Sequence, residues 1–220
     1  MENLNIALIG CGMIGREHIE RIQNRIRNAR IVAVCDVFEE GAKKGAEIAG
    51  AGTKVYTDFN EAINDPDVNA VVVTTPGQFH KGPVLAAIKA GKPVFCEKPL
   101  ATTLEDAKKV VEAEKASGKR LLQIGFMRRF DPDYIKMKKI LDSGELGAPL
   151  MAHCISRTRS HPKNHTTEQH ITNIAIHEID ICRWLLGENL NEVAVRFPRA
   201  TCFAEGTCQD PQLVLMQSDS

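Results

Sequence analysis

The stretch "LIGCGMIGREH", Leu8 to His18, decides how the chain folds. An apolar run at residues 6–9 leads into Gly10-x-Gly12-x-x-Gly15, and Ile14, Ile19, Ile22 and Ile26 then recur near the helical period. A strand that turns through glycines into a helix is half of a βαβ unit. Gly10 suits the tight turn, Gly12 lets a phosphate approach the backbone, and Gly15 permits close packing of helix on strand. The helix N-terminus then faces the anion with its free N–H groups. The spacing alone also fits a plain glycine-rich turn. What strengthens it is Asp36, which closes the second apolar run, "VAVCD", about 20 positions beyond Gly15. A carboxylate there accepts from ribose hydroxyls and repels a 2′-phosphate, so the pattern favours NAD over NADP. Gly10, Gly12, Met13, Ile14, Gly15 and Asp36 are the first candidate cofactor-binding residues.

Outward from this motif the pattern repeats. Apolar runs at 31–35, 70–73, 94–96 and 121–124, with a weaker one around Val55, alternate with segments of helical period such as Val84, Leu85, Ile88 and Leu104, Val110, Val111. Near-continuous Val/Ile strands alternating with helices predict a parallel sheet covered on both faces, a doubly wound α/β fold. Asp58 with Glu61, Thr103 with Asp106, and Asp131-Pro132 read as helix starts, and Gly91 and Gly118 as helix stops.

Two further stretches lie at carboxyl ends of strands in that sheet, where such folds bind ligands. "VVVTTPGQFH" places Thr74, Thr75, Pro76 and His80 after the fourth strand; His80 reads equally well as a helix-start residue or as part of the site. "VFCEKPLA" places Glu97 and Lys98 after the fifth. An ammonium fixed there polarises a substrate hydroxyl, and Glu97 positions cofactor or lysine. The competing reading is a solvated Glu-Lys pair at a strand end.

The pattern changes after residue 125, which divides the chain into 1–125, a dinucleotide-binding domain, and 126–220, which reads as the start of an α+β domain. Helices are predicted near 132–141 and 174–186, and strands at 150–156, 192–197 and 213–216. Three strands and two helices are few for a closed core, and the last strand meets the end of the sequence at "VLMQSDS", so this second domain is expected to be incomplete. In "ITNIAIHEIDICRWLLGE", His177 lies one helical turn from Asn173 and one from Asp180. His is the usual acid–base group near neutral pH, although a lone helical His is more often structural.

Bulk composition excludes several classes. Lys+Arg and Asp+Glu both number 28, so there is no charge footprint for nucleic acid or an anionic membrane, and no apolar run is long enough for a bilayer. Seven cysteines without a C-x-x-C fit small hydrophobes in a reducing cytoplasm, and no secretory leader is evident. His161, His165 and His170 lie four and five apart, which matches no standard zinc pattern, and no metal is expected.

Taken together, the glycine motif, Asp36, "EKPL" and "HEID" resemble the Gfo/Idh/MocA oxidoreductases, and "QIGFMRRFDPDYIKMKKILDSGELGAPLMAHC", "IHEIDICRWLL" and "DPQLVLMQ" resemble the inositol 2-dehydrogenase branch. The resemblance runs over the whole chain. It implies an N-terminal Rossmann domain and a C-terminal domain on an open sheet that mediates dimers or tetramers. It also implies oxidation of a ring hydroxyl of a cyclic polyol or sugar to a ketone, with NAD as cofactor. By the resemblance Lys98 is the catalytic lysine and His177 the acid–base histidine. Substrate would meet Lys98, Arg128, Ser156, Arg157, Thr158, Asn173 and His177. Three positions depart from the pattern. Asn173 stands where the inositol enzymes carry an aspartate, and an amide cannot stabilise an imidazolium by charge. Ser156 and Thr158 stand where those enzymes carry a His and an Asn, so the expected substrate pocket differs from that for myo-inositol. Members of the family are also longer. The alternative is a non-catalytic or truncated NAD-binding paralogue.

Overall fold

The computed structural model describes residues 3–158, 165–201 and 208–218. The chain divides into two compact units, Met1–Gly125 and Phe126–Ser220.

The first unit runs β1 (Leu4–Ile9), α1 (Met13–Arg25), β2 (Ala29–Cys35), α2 (Glu39–Ala49), β3 (Lys54–Tyr56), α3 (Phe59–Asn64), β4 (Ala70–Val73), α4 (Lys81–Lys89), β5 (Val94–Glu97), α5 (Leu104–Ala116) and β6 (Leu122–Gly125). The six strands form one parallel sheet in the order β3-β2-β1-β4-β5-β6. This is the doubly wound order, with its switch point between β1 and β4. Successive residues of a strand point to opposite faces, so each buried strand feeds two cores. Ala7 and Ile9 join Val71, Val73, Val84, Ile88 and Val110 on one face, while Ile6 and Leu8 join Ile19, Ile22, Val34 and Ala49 on the other. That double burial is why the strands read as unbroken apolar runs.

The helix signals act as expected. Asp58 accepts from Asn60 N, Thr103 from Asp106 N, and Asp131 from Asp133 N and Tyr134 N, each satisfying otherwise unpaired first-turn donors. The apolar period is narrower than the sequence implied: Ile19 and Ile22 are buried, but Ile14, Ile26 and Leu104 are exposed. Small residues complete the buried helix faces, Gly15 on α1 and Ala42, Gly45 and Ala49 on α2.

The second unit contains a 3₁₀ turn (Met127–Phe130), α6 (Pro132–Asp142), α7 (Thr167–Gln169), a π-helical turn (His170–Ala175), α8 (Ile176–Leu186) and the antiparallel pair β7 (Leu190–Arg196) and β8 (Leu213–Ser218). Two expectations are corrected. Residues 150–156 form no strand; they are exposed and enter neither ladder, and β-prone residues without a partner strand cannot satisfy their backbone groups as a strand. The helix expected over 174–186 is already wound at Thr167 and passes through the π-helical turn before α8. A widened turn leaves no mark in an apolar period, so the sequence could not reveal it. Gly187, at φ 73°, ends α8 in the left-handed region.

Candidate functional site

The glycine loop is built by three different constraints. Gly10 has φ +100°, and a Cβ there would sit 2.6 Å from Thr75 N. At Gly15 a Cβ would collide with the carbonyl oxygen of Gly10. Both are demanded by the protein itself. Gly12 is different: its φ is an ordinary −67°, and a Cβ would meet nothing within 4 Å. Neither conformation nor packing requires glycine there. The bare space lies at the N-terminus of α1, where N–H groups lack intrahelical partners, so it is a cradle of the kind a phosphate fills. Gly12, Met13 and Ile14 are all exposed at this point.

Asp36 follows β2 and faces the same loop. Its Oδ2 accepts from Cys11 N at 2.8 Å and its Oδ1 from Phe38 N at 3.0 Å. A carboxylate has about four acceptor positions, so two remain for hydroxyls. Across the switch point, Thr74 donates from Oγ1 to the Gly10 carbonyl at 2.6 Å, tying β4 to the loop. Thr75 Oγ1 is buried and has no hydrogen-bond partner among the described residues. An orphaned hydroxyl beside the loop fits a polar ligand group better than an empty interior. These features fit a dinucleotide.

His80 is buried. Its ring is 1% exposed, with Nδ1 2.6 Å from the Pro99 carbonyl and Nε2 2.6 Å from the Thr75 carbonyl. Both partners are carbonyl oxygens, which accept, so each bond is donated by whichever ring nitrogen carries a proton, and the ring lies between the end of β4 and the Lys98-Pro99 turn. Pro76 lies exposed between them.

Glu97 ends β5 and Lys98 follows it, both half-buried. This is not a solvated pair. Burial pulls the Lys98 ammonium below its ordinary value, against the opposing charge of Glu97. Glu97 is itself penalised by burial, yet a hydrogen bond from His18 and that residue's charge, with smaller help from Lys98, hold it below the ordinary carboxylate value. The sequence reading missed His18, three residues beyond Gly15; its signal was a polar side chain on the inward face of α1.

In the second unit, His177 is half-buried on the first turn of α8 and Asn173 is exposed on the π-helical turn. Asp180 is buried and grips Arg129 with both oxygens, at 2.8 Å to Nε and 2.6 Å to Nη2, fastening α8 to the 3₁₀ turn. Arg128 pairs with Glu178 at 2.7 Å. Ser156, Arg157 and Thr158 are exposed in a segment without regular structure. His170 contacts Cys208 at 3.0 Å and packs edge-on against His165, while His161 and Cys202 lie outside the described residues. Burial pushes the Cys11, Cys35 and Cys96 thiols up to about 12, as befits packing residues. Among the described residues no helix is long and apolar enough to cross a membrane.

Residues 4–126 match the oxidoreductase family with an NAD-binding Rossmann fold, GFO_IDH_MocA, and residues 134–220 match the GFO/IDH/MocA C-terminal domain. The chain belongs to the Gfo/Idh/MocA oxidoreductase family. Within the family it is 44% identical over 216 residues to the inositol 2-dehydrogenase of Klebsiella pneumoniae subsp. pneumoniae, and 46% identical over 217 residues to that of Burkholderia lata. These alignments cover 98% and 99% of this chain and 64% of each relative. The fold is similar to the crystal structure of myo-inositol dehydrogenase from Lactobacillus casei in complex with NAD(H) and myo-inositol. The TM-score is 0.95 at 37% identity, covering 99% of this chain and 64% of that one. The chain therefore spans less than two thirds of the length of these relatives.

Proposed function

We propose that this chain carries the cofactor and catalytic residues of an NAD-dependent dehydrogenase that oxidises a ring hydroxyl of a cyclic polyol or sugar to a ketone. The observation that carries the reading is the common edge of the parallel sheet. The glycine loop after β1, the orphaned Thr75 hydroxyl after β4 and the half-buried Lys98 after β5 all lie at carboxyl ends of strands. The similarity to inositol dehydrogenases over nearly the whole chain supports the same reading.

In this reading Gly10, Gly12, Met13, Ile14 and Gly15 hold the pyrophosphate, Asp36 binds the ribose hydroxyls, and Thr74, Thr75, Pro76, Glu97 and Lys98 border the nicotinamide end. NAD, when bound, supplies the hydride acceptor. Lys98 orients the substrate hydroxyl and polarises its O–H bond. A lowered ammonium pKa makes the lysine a stronger hydrogen-bond donor to the developing alkoxide. His177 takes the hydroxyl proton as the carbon gives up its hydride, leaving the ketone. Arg128, Ser156, Arg157, Thr158 and Asn173 contact the remaining hydroxyls. A cytoplasmic homo-oligomer is the setting this reading implies.

The second reading, a non-catalytic NAD-binding paralogue, is favoured by Asn173 alone. NADH formation with myo-, scyllo- and chiro-inositol, glucose and xylose separates the two. Turnover with any of them supports the dehydrogenase; NAD binding with silence across the panel supports the paralogue. Where turnover is found, Lys98→Ala is expected to retain NAD affinity and lose about a hundredfold or more in kcat. An undiminished kcat would remove Lys98 from the mechanism. Asn173→Asp is expected to raise the rate, and no change would point to a pocket that needs no carboxylate there.

A further inference from the structure

Lys98 follows a residue whose side chain is held from three sides. His18 on α1 lies with Nε2 2.8 Å from Glu97 Oε1, and its ring packs edge-on against Phe95 with centroids 5.6 Å apart. The other carboxylate oxygen, Oε2, accepts from the Lys98 backbone N–H at 3.3 Å. Opposite Glu97 in the β5–β6 ladder stands Gly125, where a Cβ would come within 3.2 Å of Oε2 and 2.8 Å of Phe95. The missing side chain at Gly125 is the space the carboxylate and the Phe95 ring use. We propose that His18 is a positioning residue that acts through Glu97: the α1 imidazole clamps the carboxylate, and the clamped carboxylate fixes the backbone and the electrostatic surroundings of Lys98.

The clamp couples the two halves of the nucleotide site. α1 begins at the glycine loop, and one turn later its side chain reaches the residue beside the lysine. A ligand seated on the loop and a substrate at Lys98 therefore meet a shared, pre-set frame, which is the kind of preorganisation that a displacement of about an ångström destroys. A carboxylate oxygen only accepts, so the contact is donated by the His18 ring N–H, and that bond holds Glu97 below the ordinary carboxylate value. Within this unit His18 and Lys98 act on Glu97, and Glu97 acts on Lys98.

The link to turnover rests on the dehydrogenase reading; the clamp itself does not. The test titrates the Glu97 carboxyl carbon by ¹³C NMR in the chain without cofactor, comparing wild type, His18→Ala and His18→Gln. Removing the donor leaves burial opposed only by the smaller help from Lys98, so the Glu97 midpoint is expected to rise by about one pH unit in His18→Ala. His18→Gln, which keeps a terminal N–H donor, should restore at least half of that shift. In turnover with a polyol, His18→Ala should lose about tenfold in kcat with the KM for NAD within about twofold, and His18→Gln should recover most of it. A residue that merely packs on Phe95 would lower the melting temperature of both variants and leave Glu97 unmoved. An unmoved Glu97 in folded His18→Ala, or a His18→Gln protein indistinguishable from His18→Ala, overturns the proposal. A shifted Glu97 in a wild-type chain silent across the polyol panel would sink the dehydrogenase reading and leave the clamp standing.

Discussion

The two units differ in what holds them. In the first, six strands bury both faces, and the apolar interior includes Leu8, Ile19, Ile63, Val73, Val84 and Val110 at or near zero exposure. In the second, the only apolar residues fully buried among the described ones are Ile181 and Cys208. Its joints are polar: Arg129 on Asp180, Arg128 on Glu178, and Lys138 bridging from α6 to the Leu185 carbonyl. A core of strands covered on two sides fixes backbone positions tightly, and the residues it presents at strand ends inherit that precision. Lys98 and the glycine loop belong to this class. Ser156, Arg157 and Thr158 do not, since no ladder holds them.

The comparison can be broken most directly by expressing the units apart. Residues 1–125 alone are expected to melt in one cooperative transition and to bind NAD. Residues 126–220 alone are expected to show no such transition, because burial of apolar area is the dominant favourable term in folding. Circular dichroism and calorimetry read both, and a cooperative second unit would refute the contrast.

Within the first unit, two glycines of one motif should separate. Gly15→Ala drives a methyl into the Gly10 carbonyl and is expected to cost about 3 kcal/mol by overpacking. Gly12→Ala meets no protein atom within 4 Å and should change stability by less than about 0.5 kcal/mol. Yet Gly12→Ala should weaken NAD binding, since the methyl occupies the phosphate cradle. Chemical denaturation and isothermal titration of NAD distinguish them, and equal stability losses would mean that the loop's geometry is misread.

In the second unit, Arg129→Ala leaves the Asp180 carboxylate buried without its partner. The expected cost is about 2 kcal/mol, since the guanidinium is partly exposed. Denaturant midpoints check it, and a loss within about 0.5 kcal/mol would show that the joint is ornamental rather than structural.

The smallest effect concerns Asp65, buried after α3. Burial opposes its charge, but Lys54, Tyr56 and the Asp67 N–H bring its pKa down to about 2 from 3.8. A folded-state value below the unfolded one adds stability that is present above pH 3.8 and is lost as pH falls to about 2. The difference in denaturant midpoint between wild type and Asp65→Asn should therefore be widest near neutral pH and close through that acid window. A difference independent of pH would exclude the linkage.

How much was readable follows the same division. The parallel sheet, the positions of its strands to within two or three residues, and the caps at Asp58, Thr103 and Asp131 are local: they depend on apolar runs of strand length and on side chains that reach their own backbone. The glycine spacing and the Asp36 position are equally local. The strand expected at 150–156 failed because a strand is a property of two segments, and the second was not there to be read in the first. The π-helical turn at His170–Ala175 escaped because apolar periodicity cannot resolve one widened turn.

The chain's own order of residues was enough to establish a doubly wound sheet and to mark Gly10, Gly12, Gly15, Asp36 and Lys98, because each lies a set distance from a strand end. It could not distinguish the glycine that packing demands from the one that leaves open space, nor place His80 inside and His18 against Glu97. Those are contacts between residues 19 and 79 positions apart, and only the folded sheet brings α1, β4, β5 and the Pro99 turn to one edge. Spacing along a chain encodes its local geometry; which side chains meet across it is decided by packing, where burial and hydrogen bonding select one arrangement among many that the same spacing permits.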